Sequence, residues 1–429
     1  MYDDLTYAQQ SQGMRNAVIG QIFGVLGILC FRNGLILLYL KVLGFSSPAI
    51  IVCLALPMFF GGTMTIPGAF FADSWGKKRV GYVGQILGGT GFVLMAGAGF
   101  FRQSGIVAAA AVTGTVLFAA GDTLMGSGWF GLMRPVVPEE VRGRFWSKLR
   151  FSWQTVGIIF SAVCALMLNK NSPVGRFQAV LAVAAVFLFT RILFYRRIPE
   201  VRQPVKETGF LQTLAHIIKA PGYASFCCYC FLLLLTVGGL PAIFALLEKE
   251  VLNMGDDTVV WLGNIFMIGN LAGFFFIGRV IDRFGTRSVF IVCHLTFAAV
   301  LFLFLGRGAV PLPLFPVLAF FHLIFGVAIA SSSIAMTTEM MALIPEENQA
   351  LGTSVCTTLQ KAGMGFSGIV GAGILYLGIL EDRWSIFGSK LSNYDSILLV
   401  CGFAVLMLVV TLGLVPSVIG KKPWGPSST

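Results

Sequence analysis

Twelve long apolar runs constrain the fold of this chain more than any other feature of its sequence. Each run reaches about 20 residues, the length of helix that crosses the roughly 30 Å hydrocarbon core of a bilayer. Strands of a membrane barrel would alternate in polarity instead, and the runs do not alternate. We therefore predict an all-α membrane protein of twelve transmembrane helices. The runs lie at about 17–40, 48–72, 80–101, 105–133, 147–168, 174–195, 221–247, 258–281, 288–306, 313–340, 350–379 and 396–418.

The charged residues support this class and predict the topology. They make up 11% of the chain, against about 25% in soluble proteins. With the N-terminus inside, 19 of the 30 Lys and Arg residues fall on the inner side, 8 fall outside and three lie within spans. This asymmetry follows the positive-inside rule, so we expect both termini in the cytoplasm. We also expect a bacterial inner (plasma) membrane and no nucleic-acid partner, because the basic residues of the inner side account for the net charge.

An internal repeat relates the two halves of the chain. Asp73 and Gly76 follow the second run, and Asp282 and Gly285 follow the eighth run. Asp282 lies 209 residues after Asp73, and Gly285 lies 209 residues after Gly76. The loops after the first and seventh runs recur at the same offset. An even number of helices in each copy preserves orientation, so the repeat predicts two similar six-helix halves.

The repeat also predicts the domain boundaries. Residues 1–195 would form an N-terminal six-helix bundle and residues 221–429 a C-terminal one. Residues 196–220 would form a cytoplasmic linker. Apolar residues at helical spacing in this linker predict a short amphipathic helix on the inner membrane surface, or an ordered connection without a role of its own.

The two repeated loops resemble the signature of the major facilitator superfamily, Gly-x-Leu-Ala-Asp-Arg-x-Gly-Arg-Lys. The first copy departs from it at Ala69 and Ser74. The resemblance implies the major facilitator fold, with two pseudo-symmetric six-helix bundles. It also implies that the matching residues form a cytoplasmic latch, which closes the inner ends of the bundles in one conformation. These residues are Asp73, Gly76, Lys77 and Lys78 in the first copy and Gly278, Asp282, Arg283, Gly285 and Arg287 in the second.

Ionisable residues inside the runs are candidates for the solute site, because a charge in the bilayer core is costly. Arg32, Asp122 and His322 lie in runs that line the cavity in this superfamily, and Lys361 lies in a flanking run. Each residue has a structural alternative, such as an ion pair or a packed core position. The neighbouring polar candidates are Asn33, Trp153, Gln154 and Gln360.

These residues predict a secondary transporter that moves a small polar organic solute by alternating access, as a monomer and without a cofactor. Arg32 and Lys361 outnumber Asp122, which favours an organic anion as the solute. Asp122 is the best candidate for binding a coupling proton. A neutral sugar transporter or a facilitator remains an alternative.

Two further classes remain open from the sequence. A polytopic membrane enzyme would need catalytic residues or a metal site, but the chain has three His residues and lacks both His-Glu-x-x-His and Gly-x-Ser-x-Gly. We therefore predict no catalytic residues and no bound metal. A transporter-like receptor or a scramblase is the other alternative, and solute uptake into proteoliposomes separates these classes.

Overall fold

A computed structural model describes most of the chain. The described residues are 5–101, 103–138, 141–169, 171–201, 210–308, 312–344, 349–381, 383–386 and 389–414. The side chains of Asp73 and Asp282 are not among the described features.

The described part of the chain is almost entirely helical. A π-helical turn, Leu247–Val251, follows α11, and one short antiparallel hairpin precedes the last helix. The elements are α1 Tyr7–Arg32, α2 Leu35–Val42, α3 Ser47–Trp75, α4 Lys77–Ala98, α5 Ser104–Ser127, α6 Trp129–Met133, α7 Arg142–Met167, α8 Val174–Tyr195, α9 Phe210–Ile218, α10 Tyr223–Val237, α11 Leu240–Leu246, α12 Asp256–Leu305, α13 Leu314–Leu343, α14 Gln349–Tyr376, β1 Arg383–Ile386, β2 Ser389–Ser392 and α15 Asn393–Leu414.

Eleven helical segments of the described chain are long and apolar enough to span a membrane. The helix α14 has 28 residues and is long enough to cross as well, but it carries several polar residues in its first half. With α14, the helices fit the twelve spans that the sequence predicts. Large apolar side chains such as Phe70, Phe130 and Phe275 are exposed, as expected for surfaces that contact lipid.

Two of the spans are interrupted at glycine, and a third glycine forms the turn between two further spans. The first span breaks at Asn33 and Gly34, and α2 then completes it. The seventh breaks between α10 and α11, at Gly238 and Gly239. The long α12 turns at Gly285, whose φ of 78° lies in the left-handed region, so it contains the eighth and ninth spans. Glycine adopts this conformation at little cost.

Glycines also allow α4 and α5 to pack at very short distance. A Cβ atom at Gly84 would lie 2.5 Å from the carbonyl oxygen of Gly121 on the facing helix. Similarly, a Cβ atom at Gly114 of α5 would lie 2.6 Å from the carbonyl oxygen of Gly91 on α4. Lipid removes the hydrophobic driving force between helices, so their association depends on the close packing that small residues allow. The α4–α5 contact therefore depends on the absence of side chains at these positions.

The chain divides into two compact units. Unit 1 comprises Met1–Glu207, Pro241–Asn264 and Met364–Ile379, and unit 2 comprises the remaining segments. One boundary between the units falls inside the seventh span, where unit 2 ends at Leu240 and unit 1 resumes at Pro241, next to the break at Gly239. The six-helix bundles predicted at 1–195 and 221–429 describe the duplication of the sequence and remain a prediction.

In unit 2, a buried ion pair fixes the hairpin end of α15. Asp395 is fully buried and accepts hydrogen bonds from two nitrogens of Arg307. The second oxygen of Asp395 also accepts from the backbone N–H and the hydroxyl of Ser392, the last residue of β2. A carboxylate with this many donors is well compensated for its burial.

The α4–α5 packing leads to a prediction about stability. Gly84→Ala should lower the unfolding temperature of the purified protein, because the added methyl group meets backbone atoms that cannot move aside. Overpacking of this kind costs about 1–3 kcal/mol. Gly97→Ala on the same helix is the matched control, since its Cβ would meet nothing within 4 Å. Equal unfolding temperatures for the two variants would contradict the close-packing argument.

Candidate functional site

The break in the first span places Arg32 at the end of α1. Gly34, with φ of 84°, interrupts the helical backbone between α1 and α2. The side-chain amide of Asn33 donates to the Ser161 hydroxyl at 3.2 Å, and its oxygen accepts from the backbone N–H of Leu35 at 3.4 Å. Both polar ends of Asn33 therefore hold the break in place. Asn33 is 1% exposed.

Arg32 is exposed although it lies in the middle of its span. Its neighbours Phe31 and Asn33 are both buried. Asp122 of α5 acts electrostatically on the Arg32 guanidinium. Arg32 thus combines access from solvent with the field of a carboxylate on another span that is predicted to line the cavity.

A second arginine lies near Asp122. Arg191 of α8 is 5% exposed, and Asp122 acts electrostatically on it as well. Its Nη2 donates to the Gln21 side-chain oxygen at 3.0 Å. Gly24 of α1 makes room for this guanidinium, because a Cβ atom there would overlap it. Among the described residues, the half-buried Asp122 is therefore the acid that acts electrostatically on both arginines.

Arg191 is not among the candidates that the sequence predicts, although it is one of the three basic residues within the predicted spans. The cost of burying a charge in the bilayer core is the signal in the sequence that points to it. The charged groups near Asp122 are the two arginines. In the described part of the chain, no cluster of three or more His, Cys, Asp or Glu residues is placed to hold a metal ion.

The remaining candidates are distributed over three helices. Trp153 and Gln154 are half-buried on α7 in unit 1. In unit 2, His322 of α13 is 7% exposed, and its Nδ1 lies 2.9 Å from the Leu318 carbonyl oxygen of its own helix. Gln360 of α14 donates to the Cys356 sulfur at 3.4 Å. The structure leaves the role of these side chains open.

Lys361 lies on the polar part of α14. It is half-buried and belongs to unit 2, whereas Arg32 and Asp122 belong to unit 1. Thr353, Ser354, Thr357 and Gln360 precede it on the same helix. This concentration of polar residues explains why α14 is less apolar than the other spans.

The latch loop of the first half is tied to the end of α8. Gly76 has φ of 105°, which allows α3 to end and α4 to begin without a longer loop. The backbone N–H of Lys78 donates to Glu200 at 3.1 Å, and the Lys78 ammonium donates to the Ile198 carbonyl oxygen at 2.7 Å. Glu200 thus bonds a free N–H at the start of α4, where a carboxylate is favoured by the helix dipole.

The latch loop of the second half is described in part. The turn occurs at Gly285, and the Arg283 guanidinium lies 5.3 Å from the Phe284 ring centroid. Next to the turn, the Thr286 hydroxyl donates to Glu339 of α13 at 2.5 Å. Gly278 has open space around it. The latch role itself stays a prediction, since it depends on the side chains of Asp73 and Asp282.

At the opposite, predicted outer end, unit 1 contains an ion pair between equivalent positions of the repeat. The Lys41 ammonium lies 2.5 Å from Glu250, and the Ser47 hydroxyl donates to the same carboxylate. Lys41 and Glu250 are 209 residues apart, which is the offset of the duplication. Lys41 and Glu250 therefore occupy equivalent positions of the repeat and carry opposite charges.

A second polar pair lies beside the first. Asp256 is 1% exposed and pairs with the Lys249 ammonium at 2.5 Å. The backbone N–H of Ser172, in the loop before α8, donates to the other oxygen of Asp256 at 2.9 Å. These contacts join the segment 241–264 to residues of the N-terminal half within unit 1. We call the four residues Lys41, Glu250, Lys249 and Asp256 the outer ion-pair layer.

Comparisons with known proteins agree with this architecture. Residues 226–426 match the family model described as Major Facilitator Superfamily. No curated protein sequence matches the chain significantly.

Solved transporter structures share the fold over almost the whole chain. A D-xylose-proton symporter has a TM-score of 0.74 at 14% identity, covering 97% of this chain and 100% of its own. The nucleoside transporter NupG has a TM-score of 0.67 at 13% identity, covering 94% and 98%. A POT family transporter in complex with 5-aminolevulinic acid has a TM-score of 0.70 at 12% identity, covering 94% and 96%.

Together, the membrane-length helices, the match of residues 226–426 to the family model and the fold shared with solved transporters define the class. The chain is an integral, multi-pass membrane protein that has the fold of these transporters and resembles the Major Facilitator Superfamily in its second half.

The outer ion-pair layer leads to a second prediction. Glu250→Lys should raise hydrogen–deuterium exchange of the segment 241–264 in nanodiscs, because two ammonium groups would then repel each other. A half-buried pair near the surface contributes about 1 kcal/mol, so a change of about five-fold is expected. The double variant Lys41→Glu, Glu250→Lys should restore the slow exchange. The exposed Glu381, changed to Lys, is the control. Equally fast exchange in the single and double variants would disprove the pairing.

Proposed function

We propose that this transporter moves a small organic anion together with a proton, by alternating access. It would act as a monomer in a bacterial inner membrane, with both termini in the cytoplasm. The observation that carries the proposal is that Asp122, which lines one pocket with Arg191, acts electrostatically on both Arg32 and Arg191. Two cations share one acid, so this region of unit 1 has a surplus of positive charge.

The two arginines differ in their availability to a solute. Arg191 is buried and already bonded to Gln21. Arg32 is exposed, and it has no hydrogen-bond partner among the described residues. An exposed guanidinium in the middle of a span offers a planar fork that suits a carboxylate or a phosphate. We therefore assign contact with the anion to Arg32.

Asp122 would couple the proton to the anion through Arg32. While Asp122 is ionised, its charge partly neutralises Arg32 and competes with an incoming anion. When Asp122 binds a proton, that competition ends and Arg32 attracts the anion more strongly. Proton and anion binding then favour each other, which is the requirement for symport.

The outer ion-pair layer supports alternating access. It joins residues of both halves at the predicted outer end within unit 1. Polar pairs that must break before that end can open are suited to hold one of two alternative conformations. The latch residues at the predicted inner end would act in the other conformation.

The shared fold does not select the solute. The similar structures belong to transporters described with D-xylose, with nucleosides and with 5-aminolevulinic acid. Their identity to this chain is 14% or less, so their solutes cannot be transferred to it. A neutral solute, or transport without a proton, is the outcome that would replace this proposal.

A binding experiment tests the anion. Matched acids and their neutral analogues, such as glucuronate and glucose, are titrated against purified wild type, Arg32→Gln and Lys361→Gln. We expect anions alone to bind, with an affinity at least about tenfold lower in Arg32→Gln, because a charged hydrogen bond contributes about 1.5–3 kcal/mol. Arg176→Gln is the control, since Arg176 is exposed near the predicted outer surface. Binding of neutral solutes only, or unchanged anion affinity in Arg32→Gln, would refute the proposal. The Lys361 variant decides whether this residue takes part.

A transport experiment tests the proton. In proteoliposomes with an imposed pH gradient, Asp122→Asn should abolish accumulation of an anion identified by the binding experiment. Exchange of labelled for unlabelled anion should continue, because exchange moves no net proton. Glu381→Gln serves as the control for removal of an acid. If the pH gradient has no effect on wild-type uptake, the protein is a facilitator and Asp122 is structural.

A further inference from the structure

A small pocket inside the N-terminal half contains a polar side chain, Gln85, that the anion site does not use. It lies between α4, α5 and α8, and its polar lining comes from Gln85, Asp122 and Arg191. Met125 and Phe118 complete part of its wall. The pocket has room for about one water molecule. All of these residues belong to unit 1.

Gln85 is the feature of this pocket that requires an explanation. It is 5% exposed, and neither its side-chain nitrogen nor its side-chain oxygen has a hydrogen-bond partner among the described residues. A buried polar group without a partner costs about 1–3 kcal/mol. A bilayer-spanning helix cannot recover this cost from bulk water. The position of Gln85 therefore indicates a ligand that supplies both a donor and an acceptor.

The surrounding charges restrict what that ligand can be. Arg32 of α1 and Arg191 of α8 are the charged groups whose field reaches Asp122 in the described chain, and α4 contributes the neutral Gln85. A metal cation would be repelled by the adjacent Arg191 guanidinium. A larger organic molecule would not fit. Water satisfies both atoms of an amide and also bonds a carboxylate and a guanidinium.

We propose that this pocket binds one water molecule between Gln85, Asp122 and Arg191, and that this water delivers the coupling proton to Asp122. The inference rests on the proposed role of Asp122 in proton coupling. The bound water donates one of its own protons to the Asp122 carboxylate as it accepts another proton from an entering water molecule, so no free cation forms beside Arg191, and a neutral carboxylic acid and the water are left in place. Release is the reverse transfer. Arg191 remains held by Gln21 in both steps, so it keeps the pocket ordered.

This arrangement separates the proton from the solute. Arg32 is exposed and would contact the anion, whereas the pocket reaches Asp122 from the side of α4 and α8. Asp122 can therefore change its charge while the anion occupies Arg32. Gln85 acts as a positioning residue for the water and does not contact the solute.

The first test detects the water without any solute. Hydroxyl radicals generated by an X-ray pulse oxidise side chains beside bound water, and Met125 lines the pocket although it is 8% exposed. We expect Met125 to be oxidised in the wild-type protein and at least several-fold less in Gln85→Leu. Met95, at 1% exposure on the same helix as Gln85, is the control and should remain unreactive in both. Equal Met125 oxidation in wild type and Gln85→Leu would overturn the water site.

The second test follows the proton in the purified protein. After a rapid pH drop, proton uptake is recorded with a soluble indicator dye, and the phase missing in Asp122→Asn is assigned to Asp122. This phase should be at least tenfold slower in Gln85→Leu and close to the wild-type rate in Gln85→Asn, which keeps the amide. Gln85→Met replaces Gln85→Leu if the latter does not fold. An unchanged rate in the apolar variant overturns the water pathway, whereas the absence of any Asp122 phase overturns the proposed proton site itself.

Discussion

The burial of Arg191 inside the bundle is the constraint on which the candidate site depends. A guanidinium in a low-dielectric interior must be compensated, and this one has an amide oxygen from α1 and the field of a carboxylate from α5. Its position in turn requires Gly24, because any side chain there would occupy the same space. Three helices are thus held in register by one charge. Arg32 shares the same carboxylate but keeps its access to solvent, and that difference gives the two arginines different roles.

At the predicted outer end, equivalent positions of the duplication contact each other. Lys41 and Glu250 occupy equivalent positions of the two halves and pair with each other. Ser47 and Asp256 are equivalent as well, and both take part in the polar contacts of this layer. Identical residues at the Lys41 and Glu250 positions would repel. The divergence of the two copies at these positions therefore converts a symmetric contact into an attractive one.

Much of the fold could be predicted from the sequence, whereas only part of the site could. The lengths of the apolar runs and the offset between Asp73 and Asp282 indicated helices and a duplication, because both are properties of the chain itself. Arg32 and Asp122 were identified for the same reason, as charges within apolar runs. Arg191 carried that signal too, as a basic residue within a span, but its burial and its contact with Gln21 became visible only in the structure. Gln85 gave no signal, since an uncharged amide within a span is unremarkable until its surroundings are known.

The sequence by itself indicated an all-α membrane protein and predicted its helix count and orientation, because the bilayer imposes a length and a charge rule on every segment separately. Tertiary structure alone decided which side chains meet. Gly84 and Gly121 permit a close helix approach that no local pattern reveals, and this approach creates the pocket beside Asp122. The break at Gly34 and the contacts of Asn33 place Arg32 where solvent reaches it. These features arise from the packing of distant segments, whose geometry is set by shape and charge in three dimensions and not by the order of residues along the chain.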